Sequence, residues 1–199
     1  MLAVITGDII NSRNKEASSW LPRLKEVLQL YGSTPNQWEI SRGDSFQLST
    51  VPEDALKAAF HIKAAIKEFR DLDVRTGIGI GEQNHRAAKI SESNGTAFIR
   101  SGESFEALKK QNLGIVTGQP DLDEQLNLLL SLALLTANNW SPTVATTIKA
   151  FFEHPNKNQT EMAAVLGKSQ SSLSEALKRG GYDEITRLEK YYRKQIKEL

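Results

Sequence analysis

The chain has 199 residues, 25 Lys and Arg against 24 Asp and Glu, no cysteine, and 39% hydrophobic residues. This allows one large or two small packed domains and excludes a disordered, collagenous or disulfide-built chain. Chemistry falls to carboxylates, hydroxyls and bases, because there is no thiolate nucleophile or thiolate metal site, and a formal net charge of +1 argues against bulk electrostatic coating of nucleic acid.

The apolar run Leu2–Thr6 suits a buried central strand. It passes directly into Asp8 without the charged start and small-residue cleavage site of a secretory signal, so a cytoplasmic location is expected. Trp20, Leu21, Leu24, Val27, Leu28 and Tyr31 recur at helical spacing, and Gly32 to Pro35 stops that helix. Trp38 and Ile40, then Phe46 and Leu48, alternate about Arg42-Gly43-Asp44, the pattern of a hairpin. Pro52 opens a helix with Leu56, Ala59, Ile62, Ile66 and Phe69 on one face and Lys57, Lys63 and Lys67 on another; His61, among these lysines, is expected to be solvated.

Val74 to Ile80 reads as a strand whose even residues face one way, while Arg75, Gly77, Gly79 and Gly81 leave the other side nearly bare. A helix near Ser104–Lys110 and a strand at Gly114–Thr117 complete the order β-α-β-β-α-β with a further α-β. This predicts an α+β domain over residues 1–118, a ferredoxin-like or palm sheet covered by helices on one face.

Gly118 to Asp121 reads as a boundary, beyond which residues 119–199 show only helical periodicity, over about 122–138, 142–154, 159–166, 170–179 and 183–198. The leucine-rich stretch Leu126–Leu135 is broken by Asn127 and Ser131 and is far shorter than the roughly 20 residues of a spanning helix, so no membrane insertion is expected. The last helix carries Ile185, Leu188, Tyr192, Ile196 and Leu199, too much apolar surface to stand alone; it is expected to pack on the leucine-rich helix or on a partner chain.

Asp8 ends the first strand and Asp44 lies in the hairpin turn expected beside it. Two carboxylates on adjacent strand ends, with backbone carbonyls nearby, suit Mg²⁺ or Mn²⁺ and through it a nucleotide's phosphates. Asn11, Ser12 and Arg13 would add amide hydrogens, a hydroxyl and a guanidinium, and Gly43 would let a ligand approach closely. Each acid taken singly is also ordinary cap or turn chemistry. His61, His85 and His154 are too far apart to form a metal pair, and no serine is marked as a nucleophile.

These residues resemble the class III nucleotidyl cyclases and their GGDEF-type and palm-polymerase relatives. Gly7-Asp8-Ile9-Ile10-Asn11-Ser12, Arg42-Gly43-Asp44-Ser45-Phe46 and Arg75-Thr76-Gly77-Ile78-Gly79-Ile80-Gly81 stand in the family's order across about residues 1–118. The resemblance implies that Asp8, the Ile9 carbonyl and Asp44 hold two metals and that the amides of Asn11 to Arg13 hold phosphates; Arg42 and Gly43 of the turn are expected to join the nucleotide site. Ile40 stands where the cyclases select the base, and Ile99 and Glu103 where they stabilise the transition state. The resemblance therefore implies a degenerate sensor rather than an enzyme, and no residue is singled out as catalytic. The whole chain is also similar to the SatD family of bacterial proteins, in its Ile-Thr-Gly-Asp-Ile opening, its Arg-Gly-Asp-Ser-Phe turn, its Gly-Ile-Gly-Ile-Gly-Glu strand and its helical C-terminus.

Residues 160–177 resemble a helix-turn-helix, with Gly167 at the turn, Ser169 capping the second helix, and Met162, Ala163, Val165 and Leu166 facing Leu173, Ala176 and Leu177. The resemblance implies that Gln170, Ser171, Ser174 and Lys178 meet base edges or phosphates, with Lys168 and Arg179 as further phosphate contacts. Residues 155–199 carry nine Lys and Arg against six acids, a mild excess only. The combined expectation is a nucleotide- and metal-responsive DNA-binding regulator acting as a homodimer. Two alternatives stay open: a nucleotidyl cyclase or transferase using Asp8 and Asp44, and a non-catalytic interaction protein.

Overall fold

In the computed structural model, which describes residues 1–199, the chain is α+β, with a five-stranded mixed sheet and eight helices. β1 (Leu2–Ile10), α1 (Ala17–Tyr31), β2 (Trp38–Ser41), β3 (Ser45–Thr50), α2 (Ala55–Lys67), β4 (Asp73–Gly81), α3 (Thr96–Ala107) and β5 (Leu113–Val116) come first. Five helices follow: α4 (Pro120–Ala137), α5 (Pro142–Glu153), α6 (Gln159–Leu166), α7 (Gln170–Gly180) and α8 (Tyr182–Lys197). The sheet order is β2-β3-β1-β4-β5, antiparallel throughout except for the parallel pair β4–β5.

β1 is central because its apolar run has cross-strand partners on both sides. Ala3, Ile5 and Ile9 stand opposite Ile80, Ile78 and Val74 of β4, and Ile5 also opposite Leu48 of β3. That face is buried beneath α1, through Trp20, Leu24, Val27 and Leu28, and beneath α2.

The opposite face is not bare, and helices cover both sides of the sheet. Arg75, Gly77, Gly79 and Gly81 do share one side of β4, as their alternation requires, but α3 lies directly on them. A Cβ at Gly79 would overlap the Ser101 amide and the Ala97 carbonyl, and one at Gly77 the Phe105 backbone. The glycines therefore allow backbone-to-backbone approach, which α3 meets with the small buried residues Ala97, Ser101 and Ser104. Thr6 of β1 joins the same contact through a 3.0 Å hydrogen bond to Ser101. Beyond α3 this face turns polar, with Ser45, Gln47 and Ser49 half-buried along β3.

α4 closes the far edge of the sheet. Asn127 Oδ1 accepts the Ile115 amide at 3.0 Å while its Nδ2 donates to the Ile115 carbonyl at 2.8 Å, so one side chain imitates a neighbouring strand. Asp123 accepts the next outward amide, that of Thr117, at 2.6 Å.

The expected boundary near residue 118 falls between β5 and α4, yet the core runs across it. One apolar cluster of 39 buried residues includes β1, α1, α2, α4, α5 and Tyr192 and Ile196 of α8. α8 packs against α4 as well as α7 and α2, and Tyr192 donates to the Pro52 carbonyl at 2.6 Å. A second cluster of six residues, Ala150, Phe151, Met162, Ala163, Leu173 and Leu177, binds α5, α6 and α7 together. No helix is long and apolar enough to cross a membrane.

Between α2 and α5 runs a buried polar seam. His61 is 1% exposed rather than solvated, because α5 and α1 cover the face its lysine neighbours suggested was open. Its Nδ1 lies 3.0 Å from the Tyr31 hydroxyl and its Nε2 lies 3.6 Å from Glu153 Oε1. Burial holds His61 below its ordinary value of 6.5. Burial pushes Glu153 upward, but the neighbouring His61 imidazole and the Lys149 ammonium, which donates to it at 3.0 Å, outweigh burial and hold the carboxyl at about 2. Lys63 and Lys67 converge on Asp73 at 2.7 and 3.2 Å, and burial of Lys63, offset in part by Asp73, draws its ammonium down to about 8.

Candidate functional site

Asp8 emerges near the end of β1 on the α3 side of the sheet, and the antiparallel register sets it opposite Arg75 of β4 and Ser45 of β3. The guanidinium grips it bidentately, Nε to Oδ1 at 3.0 Å and one terminal nitrogen to Oδ2 at 2.5 Å. This fork is the strongest geometry available to a carboxylate among side chains. Arg75 also lies over the Phe105 ring, 5.2 Å from its centroid, and its hydrogen bond to Asp8 raises its proton affinity further.

Asp44 closes the hairpin between β2 and β3. Arg42 and Gly43 both adopt positive φ, 52° and 90°, which makes the turn tight enough for the Asp44 carbonyl to accept the Ile9 amide at 3.1 Å. Its carboxylate accepts the Ser12 hydroxyl at 2.6 Å. Asn11, itself at φ 62°, starts the short 3-10 turn Ser12–Asn14 and ties it to the Asp71 carbonyl at 3.0 Å. Asn11, Arg13, Arg42 and Gly43 are exposed, and neither arginine is ion-paired.

The structure thus gathers Asp8, Ile9, Asn11, Ser12, Arg13, Arg42, Gly43 and Asp44 at one end of the sheet. No three His, Asp or Glu side chains converge there as a ready-made metal cage. Both Asp8 oxygens are engaged by Arg75 and one Asp44 oxygen by Ser12. The oxygen-only donor set fits Mg²⁺ or Mn²⁺ arriving with phosphate ligands of its own, since Mg²⁺ takes only one or two protein carboxylates in nucleotide sites. The alternation along β4 places Arg75 on this face, but its pairing with Asp8 emerges only from the register of β1 on β4. Its one trace in the sequence is the opposite charge at the end of an adjacent strand.

Ile40 packs against the apolar core, whereas Ile99 and Glu103 are exposed on α3.

At the other end of the chain, α6 opens with a capping box formed by Asn158 and Glu161, and it stops at Gly167, whose φ of 62° is left-handed. Ser169 caps α7 by accepting the Ser172 amide. Leu173, Ala176 and Leu177 are buried against α5 and α6, while Gln170, Ser171, Ser174, Lys178 and Arg179 are exposed along one side of α7. Lys168 is half-buried and directs its ammonium to Thr147 Oγ1 at 3.3 Å, away from the α7 surface. Trp140 anchors the far end of α7 through the Gly180 carbonyl at 2.8 Å.

No family model matches the chain, and no curated protein matches it significantly.

Proposed function

We propose that the protein is a DNA-binding regulator whose sheet domain senses a nucleotide with divalent metal. The connectivity β1-α1-β2-β3-α2-β4 with its strand order is that of a ferredoxin-like or palm sheet extended by β5. The observation that carries the sensor half is the meeting of Asp8, Asp44 and the exposed Arg13 and Arg42 at one sheet end. Asp8, Asp44 and the Ile9 carbonyl would hold the metal, and Asn11, Ser12, Arg13, Arg42 and Gly43 the phosphates. A bound Mg²⁺ or Mn²⁺ would neutralise phosphate charge and fix its orientation. Arg75, which forks onto Asp8, would act as the counter-ion of that carboxylate in the metal-free site.

The α5–α6–α7 unit supports the DNA half. α6 and α7 meet through a left-handed glycine in the manner of a helix-turn-helix, and α7 presents Gln170, Ser171 and Ser174 for base edges with Lys178 and Arg179 for phosphates.

Calorimetric titration with ATP and with GTP in Mn²⁺ tests the sensor, with pyrophosphate assayed in each mixture. Binding that disappears in the Asp8→Ala, Asp44→Ala double variant, without pyrophosphate, is the expected result. Pyrophosphate would instead make the protein a nucleotidyl cyclase or transferase, and absence of binding would leave the acids structural. For the DNA half, binding to duplex DNA is measured against salt. Lys178→Ala with Arg179→Ala should lower the slope of log affinity on log salt by about 2, roughly 0.9 for each phosphate no longer neutralised. An unchanged slope would remove α7 from the interface.

A further inference from the structure

α4 is the one helix of this fold with a continuous apolar stripe left uncovered. Leu128, Leu132 and Leu135 are 61%, 56% and 70% exposed, and their spacing of four and three places them on one outward line. α4 is buried elsewhere: Leu122, Leu126, Leu130 and Leu134 face the core, Asp123 and Asn127 bind the edge of β5, and Leu129 and Ala133 turn toward α8. The stripe is bordered by a shallow groove between α4 and α8, lined by Leu129, Ile185 and Leu188, and by Tyr191, which is also exposed. Isolated exposed leucines are ordinary, but an aligned run beside an apolar groove marks a contact surface.

Charge is distributed unevenly along that surface. The exposed Asp121 and Glu124 lie in the first two turns of α4, with Glu198 of α8 beside Asp121. At the other end, Lys178 and Arg179 flank Thr136, joined there by Glu184. The start of α4 itself is acidic and its other end borders a basic excess, so the face of α4 is complementary to itself when turned end for end.

We propose that the outward face of α4 pairs, antiparallel and about a two-fold axis, with the same face of a second copy of this chain. With the axis between Ser131 and Leu132, each Leu128 meets the second copy's Leu135, and the two Leu132 side chains meet near the centre. Glu124, about 11 Å along the helix from that axis, then faces the end of α4 where the second copy presents Lys178 and Arg179. A face as long as the 18-residue α4, about 27 Å, and two helices wide is of the order that a standard interface buries on each partner, about 800 Å². Lys178 and Arg179, at the rim of this face, also belong to the surface proposed above for DNA; association is therefore measured without DNA, nucleotide or metal, and the leucine variant, which leaves α7 unchanged, separates the pairing from that reading.

Sedimentation equilibrium of the full chain between about 1 and 100 µM tests it. The expected species has twice the 22.1 kDa chain mass. Leu128→Gln with Leu132→Gln should raise the dissociation constant about 100-fold, with an unchanged circular dichroism spectrum because both side chains are exposed. Glu124→Lys alone should weaken association about tenfold, and adding Lys178→Glu and Arg179→Glu should return it to within about threefold of the original. The charge-exchange arm remains informative if the leucine variant is unstable. A monomer over the whole range, a dimer indifferent to the leucine changes, or no recovery on charge exchange would each overturn the proposal.

Discussion

His61 is a neutral imidazole built into the joint between α2 and α5, and its burial gives the fold a defined acid weakness. Its folded proton affinity lies below the ordinary value of 6.5, so the unfolded chain takes up a proton that the folded chain refuses. The associated stability is present above that value and is lost as the pH falls through it, whereas the contribution of Glu153 is lost only between 4.5 and about 2. Urea midpoints between pH 8 and 5 should therefore decline for the parent protein and flatten for His61→Gln. Arg75 makes the second residue-scale prediction. If it is the resting counter-ion of Asp8, Arg75→Ala frees that carboxylate and should tighten Mn²⁺–nucleotide binding about tenfold by calorimetry; weaker binding would make the guanidinium a ligand contact instead. The glycines supply a third. Gly79→Ala meets the α3 backbone and should cost about 3 kcal/mol or prevent folding, whereas Gly102→Ala, within α3 and facing open space, should add about 0.5–1 kcal/mol to chemical-denaturation stability.

At the scale of elements, α4 depends on Asn127 for its hold on β5. Asn127→Leu leaves the Ile115 amide and carbonyl without their partner and should cost about 2 kcal/mol, with faster hydrogen exchange at Ile115 as the local readout. The strands and most helices were legible because their apolar residues repeat at the period of the element, as in β1 and in α1 with Trp20, Leu24, Val27 and Leu28. α3 was not. It begins at Thr96, well before the segment expected at Ser104, because its buried face consists of Ala97, Ser101 and Ser104 rather than large apolar residues. The glycine strip of β4 hid it for the same reason, since a contact of backbone with small side chains leaves no hydrophobic period to read. His61 was misjudged from its lysine neighbours, of which Lys63 is itself buried on Asp73. At the candidate site, the acids and the 11–13 segment were visible as types and spacing, while the Asp8–Arg75 fork required the register between β1 and β4.

For the molecule as a whole, α2 is the shared wall. Eleven of its thirteen residues are buried, and it contacts the sheet, α1, α5 and α8. The two sequence halves therefore share one core rather than meeting across a linker. Trp140, between α4 and α5, should then report the same unfolding midpoint as Trp20 and Trp38 of the first half when each is followed by fluorescence in variants lacking the others; two separated transitions would indicate independent domains. The closed edge of β5 bears on the chain's behaviour in a crowded solution. The outward amides of Ile115 and Thr117 are already occupied by side chains of the same molecule, so a stray extended peptide finds no template there on which to add itself. Any surface that recruits other chains at this side of the fold must be helical, where a two-fold pairing closes on itself and can be tuned by exchanging single residues.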